Sequence, residues 1–204
     1  MKRFIVLGMV LVLVPTAIAS ATPRNTADIF FEDFEDATFP PDGWSVTGSD
    51  AWEVLDSDAP EGLQYANAAW GYDVDEWLIS PTINTTIADI ALGGVTHGSP
   101  YWGRPVEQGG MYDNYDVEVY VKTSDKADEY VGLLDGFWVD DDWSWGAFEL
   151  DLTGLYPLGE DFQIGFRYVG DDGADCGIDA VFITPEPTSL MLLAIGGMAL
   201  VRRR

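Results

Sequence analysis

The sequence predicts an all-β fold, a jelly-roll β-sandwich, on three observations. Apolar residues alternate with others at Val117, Val119 and Val121 and again at Phe162, Ile164, Phe166 and Tyr168, the period of two that sets one row of side chains on a buried face. Turn-forming clusters interrupt the chain at Phe39-Pro40-Pro41-Asp42-Gly43, Asp58-Ala59-Pro60-Glu61-Gly62, His97-Gly98-Ser99-Pro100 and Gly170-Asp171-Asp172-Gly173, compositions that suit turns and not helix interiors. Helical periodicity is almost wholly lacking between them, and many short strands at such spacing fold as a sandwich.

Taken in order, the first strand is expected at 29–34, an aromatic run that stops before the Pro-Pro-Asp-Gly turn. Short strands follow at 44–46 and 52–55, each opened by a tryptophan, and at 76–79, which ends ahead of Pro81. An Ile- and Val-bearing run predicts a strand over 87–95, and the valine alternation one over 115–124. Aromatic and β-branched content places others at 131–139, 148–152, 162–169 and 177–183. The stretch 96–114, with His97, two prolines and Gly109-Gly110, reads as one large surface loop. No internal repeat and no second domain is evident, so residues 22–184 form a single domain large enough for a real core.

Both ends carry addresses. Met1-Lys2-Arg3, an apolar run over 4–14 and small residues around Ala19 and Ala21 predict a cleavable signal peptide at 1–21. At the other end, residues 185–204 hold Pro185-Glu186-Pro187, an apolar run over 188–201, and Arg202-Arg203-Arg204. The fourteen residues 188–201 would form a helix of about 21 Å, short of a hydrocarbon layer of about 30 Å. Gly196-Gly197 weakens that hydrophobic helix, and the arginines hold its end on the cytoplasmic side. A briefly held stop, touching the membrane only transiently, fits better than an anchor. The three elements in this order resemble the PEP-CTERM sorting signal of Gram-negative bacteria. That resemblance implies recognition by an exosortase-type membrane protease, export through the inner membrane, and a final place at the cell surface or in the extracellular matrix.

Residues 22–184 contain five basic residues against 34 acidic ones, a formal charge of −29. Such a domain repels nucleic acid and anionic lipid, and it suits calcium, cationic partners, a saline habitat or simple solubility. All eight tryptophans and all nine tyrosines lie within it, which is not the composition of a disordered chain. Cys176 is the only cysteine, so no internal disulfide exists. It is expected as a small buried residue, with an intermolecular disulfide as the alternative.

The order of local motifs carries a second resemblance. Phe30-Phe31-Glu32-Asp33-Phe34-Glu35, Phe39-Pro40-Pro41-Asp42-Gly43-Trp44, Trp52 and the run from Asp75 through Trp77 to Ile83 resemble the opening half of a choice-of-anchor J, or cleaved-adhesin, domain. The strand at 115–124, the strand at 162–169 and Gly177-Ile178-Asp179-Ala180-Val181 are similar to its second half. The resemblance spans nearly the whole domain and implies a MAM-like jelly roll on a secreted bacterial protein. Where that family closes with an Asp-Asp pair, this chain has Asp179-Ala180.

Calcium requires several oxygen ligands brought from distant strands. Asp33 and Glu35 are expected to share one face of the first strand, with Glu32 and Asp36 on the other, and Asp179 on the closing strand to meet them. The resemblance implies a structural Ca2+ near this place. The same acids also read as solvated members of a very acidic surface. Asp140-Asp141-Asp142, flanked by Trp138, Trp143 and Trp145, combines carboxylates with rings that stack on sugars, a carbohydrate-binding platform to which Tyr101 and Trp102 would add. Core or edge packing is the alternative for those tryptophans. Asp171-Asp172-Gly173-Ala174-Asp175 lacks the acid spacing of an EF-hand and is read as a hairpin turn.

No catalytic constellation is found. Glu32 and Glu35 do not form an ordered glycosidase pair, His97 is read as a solvated loop histidine, and nucleophile-elbow, zincin and phosphate-loop motifs are lacking. The expectation is therefore a non-enzymatic, exported surface or matrix protein contributing to adhesion or a biofilm exopolysaccharide matrix. A calcium-dependent carbohydrate-binding module is the alternative, and a polysaccharide-active enzyme comes third.

Overall fold

The computed structural model describes residues 28–48, 51–56, 59–98, 115–134 and 145–186. Twelve strands lie among them: β1 (Phe30–Glu32), β2 (Ser45–Thr47), β3 (Trp52–Leu55), β4 (Tyr65–Ala68), β5 (Val74–Ile79), β6 (Ile83–Asn84), β7 (Ile90–Gly98), β8 (Tyr115–Thr123), β9 (Glu129–Leu133), β10 (Gly146–Asp151), β11 (Asp161–Gly170) and β12 (Cys176–Pro185). They form two antiparallel sheets. In the first, hereafter sheet A, the order is β10-β7-β12-β4-β3 with β1 also on β12. In sheet B it is β2-β5-β11-β8-β9, with β6 also on β11. Consecutive strands repeatedly pass from one sheet to the other, as a jelly roll requires.

The alternating rows predicted from sequence are the core. Val117, Val119 and Val121 of β8 and Phe162, Ile164, Phe166 and Tyr168 of β11 are all buried, facing Ile90 and Leu92 of β7 and Ile178, Val181 and Ile183 of β12. Trp44 joins the cluster, its ring centroid 5.3 Å from that of Phe34 and 6.5 Å from that of Phe166. Its indole Nε1 donates to Glu32 at 2.8 Å, so the one polar atom of a large buried ring is satisfied.

Several expectations change. The first strand ends at Glu32, because Phe34 takes a left-handed backbone (φ +53°) and turns its ring into the core. Asp33 and Glu35 therefore lie beyond the strand and do not share a strand face. The surface loop expected over 96–114 begins later, since β7 runs to Gly98 with Thr96 and His97 buried. Two strands went unpredicted: β4, whose Ala-Asn-Ala composition has low β-propensity, and the two-residue β6. The signal peptide, Tyr101, Trp102, Trp138, Trp143, Pro187, the hydrophobic tail segment and Arg202 to Arg204 lie outside the described residues.

Candidate functional site

β12 is central in sheet A, and its second neighbour changes halfway along. Cys176 to Ile178 pair with β4, whereas Val181 to Ile183 pair with β1. Between these registers the strand bulges, and Ala180 adopts a left-handed φ of +47°. Asp179 sits at the bulge, fully buried. Its carboxylate accepts hydrogen bonds from the Ala180 N–H at 2.7 Å and from the Glu61 N–H at 3.2 Å. Burial pushes its pKa up to about 7, assisted by the charges of Glu61 and Asp33.

The other two acids expected as calcium ligands lie near the same turn. Glu35 Oε1 accepts from the N–H groups of Leu63 and Gln64 at 2.6 and 2.7 Å. Asp33 is close enough to Asp179 to raise its proton affinity. Asp179 and Glu35 thus both bind the backbone of residues 61–64, Asp33 lies within electrostatic reach of Asp179, and so does Glu61, a turn residue not expected at the site. Glu32 is spent on structure: half-buried, it accepts from the Phe34 N–H and from Trp44 Nε1, and desolvation raises its pKa. Among the described residues no three His, Cys, Asp or Glu side chains form a ready metal shell. The donor chemistry of Asp179, Asp33 and Glu61 is nevertheless hard oxygen, and a buried carboxylate between two further acids is a place where a cation would relieve repulsion.

Trp145, the described member of the predicted sugar platform, packs edge-on against His97 at 4.3 Å and Tyr65 at 5.0 Å between ring centroids. His97 is not a solvated loop residue. It is 3% exposed on β7, and burial lowers its pKa to about 4. Gly177 is the floor beneath this pair, since a Cβ there would stand 2.4 Å from His97 Nε2 and 2.9 Å from Trp145 Cη2. Beside it on β4, Asn67 is 1% exposed, and among the described residues neither its amide nitrogen nor its oxygen has a hydrogen-bond partner. Cys176 is buried as expected, with its thiol pushed up to about 12, which rules out a reactive thiolate at neutral pH.

The turn at 171–175 links β11 to β12, and Asp172 N–H donates to the Gly71 carbonyl while Asp175 accepts from the Trp70 N–H. Next to it, an open cleft of about 500 Å³ is lined by Asp73, Asp116, Asp171 and Tyr115 among others. Trp70 and Tyr72, in contact edge to face at 6.1 Å, are exposed beside it.

Sheet B carries an aromatic ladder on its outer face that the sequence reading did not single out. Trp77 of β5, Tyr120 of β8 and Tyr130 of β9 follow one another at centroid distances of 5.1 and 5.5 Å. Lys122 Nζ lies 4.1 Å from the Trp77 centroid, and the Arg167 guanidinium 5.6 Å. Arg167 is forked onto both oxygens of Asp75 at 2.7 Å and reaches Glu118 at 3.0 Å. Tyr120 donates its hydroxyl proton to Glu118 at 2.9 Å, and Lys122 pairs with Asp128 at 2.6 Å. The signal available in sequence was the alternation itself, because the valines of β8 that face the core leave Glu118, Tyr120 and Lys122 on the opposite side.

Comparison with known proteins decides the tail. Residues 184–204 match the PEP-CTERM protein-sorting motif. The motif marks an exported protein, so the jelly roll is delivered out of the cytoplasm with the PEP-CTERM segment joined to its last strand. No curated protein matches the chain. Among solved structures, the carbohydrate-binding module TmCBM61 in complex with β-1,4-galactotriose superposes with TM-score 0.52 at 18% identity, over 76% of this chain and 94% of that one. The xylan-binding domain CBM22-1 of Xyn10C from Paenibacillus barcinonensis gives 0.53 at 15%, over 78% and 94%. The K2 cleaved adhesin domain of Lys-gingipain gives 0.53 at 18%, over 76% and 98%. At such identities the likeness establishes the fold, a sandwich shared by cleaved-adhesin and carbohydrate-binding domains.

Proposed function

We propose that this chain is a non-enzymatic protein of a Gram-negative cell surface or extracellular matrix, processed by an exosortase-type protease and contributing adhesion or exopolysaccharide cohesion through its jelly roll. The observation that carries the reading is the junction itself: a PEP-CTERM motif follows directly on the closing strand of a sandwich whose structural relatives are adhesin and glycan-binding domains. Mass spectrometry of the mature C-terminus tests it. Loss of Arg202 to Arg204 is expected in surface material, and intact arginines there would sink the processing step.

The state of Asp179 favours a second, more specific reading, a calcium-dependent carbohydrate-binding module. A carboxylate held at a pKa of about 7 by burial and by two acidic neighbours gains most from a bound divalent cation, with Asp33, Asp179 and Glu61 as the nearest oxygen donors and Glu35 fixing the turn beneath them. When bound, Ca2+ would supply positive charge that locks residues 61–64 against β12. A glycan array with and without EDTA separates the readings: chelator-sensitive binding to one polysaccharide class supports the module. Turnover of a glycan abolished by a single Asp or Glu substitution would replace both with an enzyme.

A further inference from the structure

We propose that the outer face of sheet B is the glycan-contacting surface, and that its ligand is an uncharged polysaccharide bound across Trp77, Tyr120 and Tyr130. This deepens the carbohydrate-binding reading and rests on it. The face is open: Tyr130 is 48% exposed, and Trp77 and Tyr120 are partly exposed, in contrast to the buried Tyr65 and His97 of the opposite sheet. The three rings lie on three strands, with Tyr120 directly opposite Tyr130 in register. An extended ligand would therefore cross the strands and meet one ring after another.

The ladder is held in place before any ligand arrives. Trp77 packs against Gly165 of β11, where a Cβ would stand 3.0 Å from the indole and 2.9 Å from the Lys122 stem; glycine there leaves room for both side chains to approach the sheet. Arg167 is fixed by Asp75 and Glu118, and Glu118 in turn fixes the Tyr120 hydroxyl. Rings and hydrogen-bonding groups that need no ordering on association lower the entropic cost of binding. Apolar faces beside fixed donors and acceptors suit a sugar, whose ring faces are apolar and whose rim carries hydroxyls.

Charge selects the class. Both cations of this face are countered by carboxylates, and the domain around them carries a formal −29. A uronic-acid polymer would meet net repulsion, whereas a neutral chain would not.

The test is affinity electrophoresis of the full-length chain in soluble galactan, xylan and β-glucan, with polygalacturonate as the charged comparison. Retention is expected in at least one neutral polymer and not in polygalacturonate. Trp77→Ala and Tyr130→Ala should each weaken it about tenfold, the scale of one lost stacking contact. Tyr130→Ala should do so without moving the melting temperature, which separates binding from packing. Retention unaffected by both substitutions but lost in Trp145→Ala would overturn the placement while leaving the carbohydrate reading intact. Retention by polygalacturonate alone would overturn the ligand class, and no retention by any polymer would remove the surface and the carbohydrate reading together.

Discussion

Asp179 and Ala180 act in opposite directions at one bulge. Asp179 ties β12 to the 61–64 turn, whereas Ala180 holds a left-handed backbone that costs an alanine about 1–2 kcal/mol and that Asn or Asp adopts more readily. Ala180→Asn should therefore stabilise the fold by about 1 kcal/mol, read from the urea midpoint. The family pattern, with an acid at this position, agrees with the backbone requirement, so a ligand role is not needed to explain it. Asp179 also sets a pH dependence. Its folded pKa of about 7 lies above its ordinary 3.8, so its contribution is full below 3.8 and is lost as pH rises toward 7, where the folded state must hold a buried charge. His97 has the opposite sign: with its pKa lowered from 6.5 to about 4, its contribution is lost as pH falls through that window. Melting curves in EDTA should show that Asp179→Asn removes the first slope and His97→Phe the second. Calcium should flatten the Asp179 slope in the parent chain, and an identical slope with and without calcium would end the metal reading. At this scale the sequence drew attention to Asp33, Glu35 and Asp179 but not to their arrangement: the periodicity of a strand cannot foresee that Phe34 turns left-handed, which takes Asp33 and Glu35 off the strand and leaves Glu35 on the N–H groups of Leu63 and Gln64.

The corner between β5 and β6 shows how an element is fixed by one small residue. Ser80 is fully buried beside Pro81, and β11 is bound to it three times: Ile164 N–H donates to its hydroxyl, its own N–H donates to the Ile164 carbonyl, and Gln163 donates to its carbonyl. Ser80→Ala leaves the Ile164 N–H unsatisfied in the interior and should cost about 1–3 kcal/mol, measured by urea denaturation. Most elements were legible because their signal is local. The tryptophan-led strand β3 and the alternating β8 and β11 fall within a residue or so of their expected bounds. β4 was not, because Ala-Asn-Ala after Tyr65 has low strand propensity and is recruited by pairing on both sides, to β3 and to β12. The same tertiary recruitment extends β7 beyond its apolar run to His97, which turned a predicted loop histidine into a buried one.

Over the whole molecule, fold class was legible because it rests on alternation spread along the chain, and export because it rests on one contiguous motif, whereas the face proposed to meet glycan was not. Tryptophans clustered in sequence drew attention to Trp138, Trp143 and Trp145, while the exposed ladder is assembled from three distant strands. The concentration of acid has a measurable effect of its own. Like charges at this density repel one another in the folded domain, so moderate monovalent salt should raise the melting temperature through screening; a temperature that falls with added sodium chloride would contradict this. Pro185 is still paired opposite Ile90, and the Glu186 N–H donates to the Asp89 carbonyl, so no slack separates the sorting motif from the sandwich. Any pull applied beyond Glu186 would pass straight into the central strand of sheet A, which its pairing with β7, β4 and β1 would resist in shear along its length.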